Sequence, residues 1–357
     1  MQPESLGALT DEQIHATASA IREQQTSTGM ILWFSEGHAD TWNHTEAAMA
    51  LSTAGLRAAA EQAFDWLART QRSDGSWHHY YLSDGVEDAK VDTNCCAYVA
   101  TGVLHHFLTT GDKSFLEGMW PTVKSALDFV VGHQTASGHI PWAIHTSGTP
   151  WSYSLVTGSS STLHSLRCGI AIASHLEYER PEWEFAAVRL ANLLRNHEGQ
   201  FEPKRRWAMD WYYPVLTGAL SGTVATERLQ TRFDEFALED HGVRCVSDQP
   251  WVTTAETCEC AMAFLAIGDE EMANRLFESI KPLRDSDGAY FTGMVFPEGI
   301  TFPDNERSTY SSAAVILASD ALANKSPASR LLVGHGLSLI HIPSPRDLST
   351  SRMPSSA

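Results

Sequence analysis

Apolar residues recur at helical spacing along most of the chain, in two kinds of stretch that alternate. Six stretches, roughly 10–24, 56–70, 114–132, 182–196, 224–238 and 270–281, set a charged face against an apolar one, as helices with one side in water do. Between them lie six stretches rich in Ala, Gly, Cys and Ser, roughly 43–54, 92–108, 161–176, 212–221, 254–267 and 308–322, which read as buried on every side. Helices apolar all round belong inside, and small residues let them approach closely. Six outer and six inner helices predict an all-α fold: an (α/α)6 toroid of six helical hairpins whose inner helices line a central cavity.

A repeated phrase points the same way. Gln25-Thr26-Ser27-Thr28-Gly29-Met30-Ile31-Leu32-Trp33, Gln71-Arg72-Ser73-Asp74-Gly75-Ser76-Trp77 and Gln134-Thr135-Ala136-Ser137-Gly138-His139-Ile140-Pro141-Trp142 each close an outer stretch with Gln, a turn containing Gly and then aromatic residues. Arg284-Asp285-Ser286-Asp287-Gly288-Ala289-Tyr290 is a weaker echo. The first three begin 46 and 63 residues apart, so the units share a plan and differ in their loops. A single domain over 1–330 is expected, with 331–357 as a disordered tail. Within that tail Leu337-Ser338-Leu339-Ile340-His341-Ile342 resembles a translated transposase mosaic-end adaptor, so about 336–357 reads as carry-over. A natural Ser/Pro tail is the alternative.

With 357 residues, 43% of them hydrophobic, the chain can bury a sizeable core. Its net charge of −18, with no basic cluster beyond Lys204-Arg205-Arg206, argues against nucleic acid as a partner. The amino terminus lacks the pattern of a signal peptide and no run is long enough to span a bilayer, so a cytoplasmic protein is expected. Cys95, Cys96, Cys168, Cys258 and Cys260 fall in inner stretches, where reduced thiols pack as small hydrophobes. Cys258-Glu259-Cys260 lacks structural-zinc spacing, and no metal or cofactor is expected. His105-His106 is expected near a helix carboxyl end, where imidazole favours the dipole.

In such a toroid the beginnings of the inner helices converge at one end of the cavity, and this chain places polar and aromatic residues there. Candidate catalytic carboxylates are Glu46, Asp210, Glu256 and Asp92; Pro214 in a first helical turn would leave Asp210 in the approaching loop. Glu46 and Glu256 lie in otherwise small or apolar stretches, where burial would raise their pKa values as a general acid requires. Asp92, Ser161 and Thr254 also fit as helix caps. Candidate substrate-binding residues are Trp42, Asn43, His44, His164, Arg167, Trp211, Tyr212, Trp251 and Tyr310, with Arg167 also suited to pairing with a carboxylate. Trp and Tyr offer flat faces to sugar rings, or to a cation passing along a prenyl chain. Mixed with Asn, His and carboxylates they favour a hydroxylated substrate.

Gln71-Arg72-Ser73-Asp74-Gly75-Ser76-Trp77 resembles the Q-x-x-D-G-x-W repeat of terpenoid cyclases and protein prenyltransferases, and the helical region resembles that α/α-toroid superfamily, including bacterial proteins labelled prenyltransferase or squalene-cyclase-like. In that resemblance Asp74 and Trp77 brace helices. The D-x-D-D acid and the D-D-x-x-D metal motif of those enzymes are missing, Val91-Asp92-Thr93-Asn94 being the nearest string. The chain also resembles six-hairpin glycosidases over about 10–323, through phrases such as Thr110-Gly111-Asp112-Lys113-Ser114-Phe115-Leu116 and Trp120-Pro121-Thr122-Val123. That resemblance implies paired carboxyl groups across a scissile bond. The leading expectation is acid and base catalysis on a saccharide or glycoconjugate. An enzyme of isoprenoid or lipid-linked substrates and a non-catalytic helical-repeat binding protein are the alternatives.

Overall fold

The computed structural model describes residues 8–333. Its helices are α1 (Asp11–Glu23), α2 (Thr41–Thr53), α3 (Arg57–Thr70), α4 (Thr93–Thr110), α5 (Lys113–Gly132), α6 (Val156–His175), α7 (Pro181–Asn196), α8 (Met209–Leu216), α9 (Thr223–Thr231), α10 (Phe233–Phe236), α11 (Thr254–Ala266), α12 (Glu270–Ser279) and α13 (Thr309–Ala323). Helices α2, α4, α6, α8, α11 and α13 touch in that order, and α13 returns to α2, so they close a ring. Around them α3, α5, α7, α9, α12 and α1 cover α2, α4, α6, α8, α11 and α13 in turn. The fold is the expected all-α toroid.

The inner helices are buried nearly all round, and the outer ones bury one stripe. Helix α6 begins five residues before the expected start, because Val156 and the run of serines after Gly158 are buried against its neighbours. Helix α8 also begins early, so Asp210 sits in its first turn and Pro214 in its interior. Proline there leaves the Asp210 carbonyl without its helical N–H partner. Arg228 Nη2 on α9 donates to that carbonyl at 2.5 Å instead.

The repeated glutamines prove to be clamps. Gln25, Gln71 and Gln134 each donate through Nε2 to the carbonyl of their own turn glycine and to one carbonyl of the next outer helix, Ala59, Thr122 and Ala186. Gly75 has φ +92°, and a Cβ there would lie 2.2 Å from the Ser125 carbonyl oxygen, so no other residue fits. Trp77 is buried and donates to the Leu67 carbonyl at 3.0 Å, the bracing role expected of it. At the Arg284 echo the clamp comes from the neighbour: Thr17 Oγ1 on α1 donates to the Gly288 carbonyl at 2.8 Å.

Short strands gather on the loops that lead into the inner helices. β1 (Tyr80–Leu82) and β2 (Gly85–Asp88) form a hairpin, and β3 (Val91–Asp92) pairs with β4 (Ala143–Ile144). β5 (Ala237–Leu238) pairs with β6 (Gly242–Val243), and β7 (Trp251–Thr253), β8 (Phe291–Val295) and β9 (Ile300–Arg307) form an antiparallel sheet. These loops wall the mouth of the toroid.

Residues 331–333 depart from the expected tail. Leu331 and Val333 are buried, and the Leu331 carbonyl meets His164 Nε2 at 2.9 Å inside the ring. The adaptor-like segment lies outside the described residues. Among the described residues no helix is long and apolar enough to cross a membrane.

Candidate active site

At the mouth, an open cleft of about 340 Å³ is lined by Trp33, His38, Trp207, Glu256, Phe302 and Tyr310, with further walls from Phe34, Pro303 and Glu306. The aromatic walls are fixed by their neighbours. Trp33 meets Tyr310 edge-on at 5.2 Å and Tyr80 at 5.8 Å, and Phe302 stacks on Trp251 at 4.5 Å. A hollow of about 370 Å³ beside α1 shares Phe34, Pro303 and Glu306 with the cleft and extends it.

Glu256 lies in the first turn of α11, and its carboxyl faces the cleft. Burial raises its pKa, against the opposing pull of the Thr253 side chain. Asp40 caps α2: Oδ1 accepts from the backbone N–H of Trp42 at 2.6 Å and of Asn43 at 2.9 Å. Its Oδ2 accepts from Asn43 Nδ2 at 2.6 Å and Trp33 Nε1 at 2.7 Å. Burial raises its pKa, and these four donors oppose that shift by favouring the charged form. Asp92 caps α4 through Oδ1, from the N–H groups of Asn94 at 2.9 Å and Cys95 at 3.1 Å. Burial pushes it up to about 6, and the charge of Asp40 adds to that. Around the ring α4 stands opposite α11, so Asp92 and Glu256 belong to opposite walls.

A turn below lies a second carboxyl pair. Glu46 Oε1 accepts from Trp42 Nε1 at 3.0 Å and the Tyr98 hydroxyl at 2.9 Å, and Glu259 accepts from the Tyr212 hydroxyl. The two glutamates share a void of only about 10 Å³ with Tyr98, Ser161 and Tyr213. Burial pushes Glu46 up to about 7, with the charge of Asp40 adding to the shift, and pushes Glu259 well above the carboxylate range, with the charge of Glu46 adding there. This pair is a floor under the mouth.

Of the residues expected at the basin, the structure brings Glu256 and Tyr310 to the cleft itself, sets Trp251 behind Phe302, bonds Asn43 to Asp40, leaves Asp92 as the α4 cap and packs Trp42 on Tyr98 and Tyr213 of the floor. Others go elsewhere. Asp210 accepts from Thr157 Oγ1 at 2.6 Å and lines a separate groove with Glu198 and Arg228. His44 turns outward, its Nδ1 accepting from the Ile31 N–H at 3.0 Å and its Nε2 meeting the Ala63 carbonyl at 2.9 Å. His164 is held from below by Leu331. Arg167 Nη1 donates to the Thr217 and Gly218 carbonyls just past α8 and pairs with no carboxylate among the described residues. Trp211 is fully buried, stacked on Phe236 and bonded to the Arg228 carbonyl, and Tyr212 is fully buried behind the floor. His105 and His106 are held neutral by burial, at about 3 and about 4, so they do not serve the helix dipole as cations.

The candidate site residues read from the sequence left out Asp40, Trp33, His38, Tyr80, Trp207, Glu259 and His79, although Asp40 and Trp207 lie in the entries to inner helices. The signal for Asp40 was present, since an Asp three residues before Asn43 at a helix start is a capping pattern. Trp33 and Trp207 come from loops with no periodicity to place them.

No family model matches the chain. It is 48% identical over 328 residues to the MMP endo-(1,4)-3-O-methyl-alpha-D-mannosidase of Mycolicibacterium hassiacum, a match covering 92% of this chain and 91% of that protein. An uncharacterized glycosyl hydrolase of Methanocaldococcus jannaschii is 26% identical over 83 residues, 23% of this chain and 14% of that one. Among solved structures, a glycosidase in complex with glucose superposes with a TM-score of 0.71 at 15% identity, covering 88% of this chain and 96% of that chain. A D-mannose isomerase gives 0.66 at 13% identity, covering 87% and 96%. The mannosidase relative falls on the glycosidase side of the sequence resemblance, the solved structures share the fold, and the cyclase side is left without support. By its 48% identity over nine-tenths of both sequences, the chain belongs to the family of the Mycolicibacterium hassiacum endo-mannosidase and is a glycosidase-like hydrolase of the α/α-toroid class.

Proposed function

We propose that the protein cleaves internal α-(1,4) bonds in chains of 3-O-methylated mannose, with Glu256 as proton donor and Asp40 as the charged carboxylate of the pair. The observation that carries this reading is the placement of Glu256, a carboxyl of raised pKa, on the wall of an aromatic cleft whose Trp33 is bonded to Asp40. Glu256 remains protonated further toward neutral pH than an exposed glutamate and can give its proton to the departing glycosidic oxygen. Asp40, whose charged form its four donors favour, stabilises in that form the positive charge that develops at the anomeric carbon.

The substrate class rests on the 48% identical relative and on the lining. Trp33, Phe34, Trp207, Phe302, Pro303 and Tyr310 present more apolar surface than a bare hexose needs, and methyl ethers would cover it. Continuity with the hollow beside α1 suits a chain that extends beyond the scissile bond. The prenyl alternative calls for a deep apolar shaft, and the space under the mouth, a void of about 10 Å³ shared by two glutamates, does not supply one. We place the enzyme in the cytoplasm, where its six unpaired cysteines would stay reduced.

Incubation with 3-O-methylated and unmethylated α-(1,4)-manno-oligosaccharides, followed by mass spectrometry of the products, tests the reading. Internal fragments from the methylated chain are expected. Glu256→Gln should lower turnover by about 10²–10⁴-fold on the oligosaccharide. That deficit should shrink on an aryl mannoside whose leaving group needs no proton. Full turnover by a folded Glu256→Gln protein, or release of terminal sugars alone, would remove the proposal.

A further inference from the structure

Beside Asp40 the mouth holds three groups of different chemistry that the hydrolytic reading does not use together. His79 offers a ring nitrogen, Asp92 a carboxylate oxygen and Cys95 its sulfur, all within 4.8 Å of one another. Each comes from a fixed part of the fold. The His79 N–H is held by the carbonyls of Asp88 at 3.1 Å and Lys90 at 2.7 Å, which pins the loop before β1. Asp92 caps α4 and Cys95 lies three residues on, so both stand on the same side of the first turn. Asp92 and Cys95 are buried and His79 is partly buried.

His79 Nδ1 is buried with no hydrogen-bond partner among the described residues. A buried ring nitrogen left unpaired carries a desolvation cost that a ligand would remove. A neutral imidazole nitrogen with its lone pair free is the form that ligates metals. Cys95 stands at the amino end of an eighteen-residue helix, where the dipole favours thiolate, but burial and the charges of Asp92 and Asp40 keep it protonated. A dication would reverse that balance, and the thiol proton would leave to solvent as the metal–sulfur bond forms.

We propose that His79, Asp92 and Cys95 form a binding site for a divalent transition-metal ion of the zinc class at the mouth of the toroid. One imidazole nitrogen, one carboxylate oxygen and one thiolate make a donor set that a soft-to-borderline ion prefers to magnesium or calcium. Ligand atoms around tetrahedral zinc stand about 3.5 Å apart, so the three groups draw in by about 1 Å, and water takes the fourth position. Occupation fixes Asp92 next to Asp40 and places two positive charges beside the catalytic carboxylate.

Cobalt(II) is the probe. Full-length protein, stripped with a chelator and titrated with Co²⁺, should develop a thiolate-to-cobalt charge-transfer band in the near ultraviolet that saturates at one equivalent and is displaced by Zn²⁺. Cys95→Ser should abolish the band, and His79→Gln should weaken binding at least about 10-fold. Circular dichroism reports whether each variant folds, and should Cys95→Ser fail to fold, His79→Gln alone decides. A folded wild-type protein with no such band, a band unchanged in folded Cys95→Ser, or cobalt affinity unchanged in His79→Gln would overturn the proposal.

Discussion

The Trp33 indole N–H donates to Asp40 Oδ2 at 2.7 Å, and the same indole forms a wall of the cleft that Glu256 faces. One side chain therefore touches both the substrate space and the carboxylate proposed to act in it. Trp33→Phe keeps an aromatic wall but removes a donor to the charged form of Asp40. Loss of such a donor raises a carboxyl pKa, by about half a unit to one unit for one bond. Activity that needs ionised Asp40 should then fail at higher pH than in the wild type. The acidic limb of the kcat/KM profile is the measurement, and an unmoved limb would detach Trp33 from Asp40.

Glu46 gives a stability prediction of definite sign. Its pKa is pushed up to about 7 in the folded protein from an ordinary value of 4.5, so the native state binds the proton more tightly than the unfolded chain. Between those two pH values the folded state holds more protons, and stability falls as pH rises through about 7. Glu46→Gln keeps an oxygen to accept from Trp42 and Tyr98 and removes the titration. It should stabilise the protein at about pH 8 by on the order of 2 kcal/mol and have little effect near pH 4, where wild-type Glu46 is already neutral in both states. Urea unfolding of both proteins across that range checks it. The buried histidines, lowered to about 4, press the other way, losing stability as pH falls through their folded pKa values. They are common to both proteins and drop out of the difference.

The ring of helices was legible because its cause is local. Outer helices show a stripe, inner ones show none, and the glutamine and glycine of each repeat mark where one hairpin hands over to the next. The site was legible only where it lies on those helices. Glu256 stands out as an acid in an apolar stretch, and so does Glu46, but periodicity cannot tell the mouth from the floor one turn below. His44 looked like a basin residue because its neighbours are. Its ring turns outward because the Ile31 N–H and Ala63 carbonyl lie behind it, and neither partner is near in sequence. Arg167 looked free to pair with a carboxylate, yet it serves carbonyls left open after α8 ends at Leu216. Trp33 and Trp207 reach the cleft from loops whose course is set by pairing across the mouth.

Arg228 and Pro214 should show coupled effects. Arg228 donates to the Asp210 carbonyl that Pro214 leaves unpaired, to the Trp211 carbonyl at 2.7 Å, and to Glu198. Arg228→Met should cost about 2–4 kcal/mol, since two partly buried carbonyls lose a charged donor. Pro214→Ala restores an N–H that can bond the Asp210 carbonyl within α8. The double variant should therefore be more stable than the sum of the single losses implies, by about 1 kcal/mol. Strict additivity in a double-mutant cycle of urea midpoints would break the link.

The last of the described residues supply a test at the opposite end of the ring. Leu331 and Val333 are 2% and 0% exposed, and the Leu331 carbonyl sits 2.9 Å from His164 Nε2. A carbonyl can only accept, so that nitrogen carries the ring proton, and the neutral tautomer is fixed from below. A protein ending at Arg330 gives up two buried aliphatic side chains and leaves that N–H unpaired. One ending at Val333 keeps all three contacts. Burial at about 1.5–3 kcal/mol per side chain, with the lost bond added, puts the difference at about 4–7 kcal/mol. Equal urea midpoints for the two truncations would mean that the segment rests on the ring without holding it. A clear drop for the shorter protein would make residues 331–333 part of the barrel floor, joined through His164 to the helix α6 whose first turn braces Asp210.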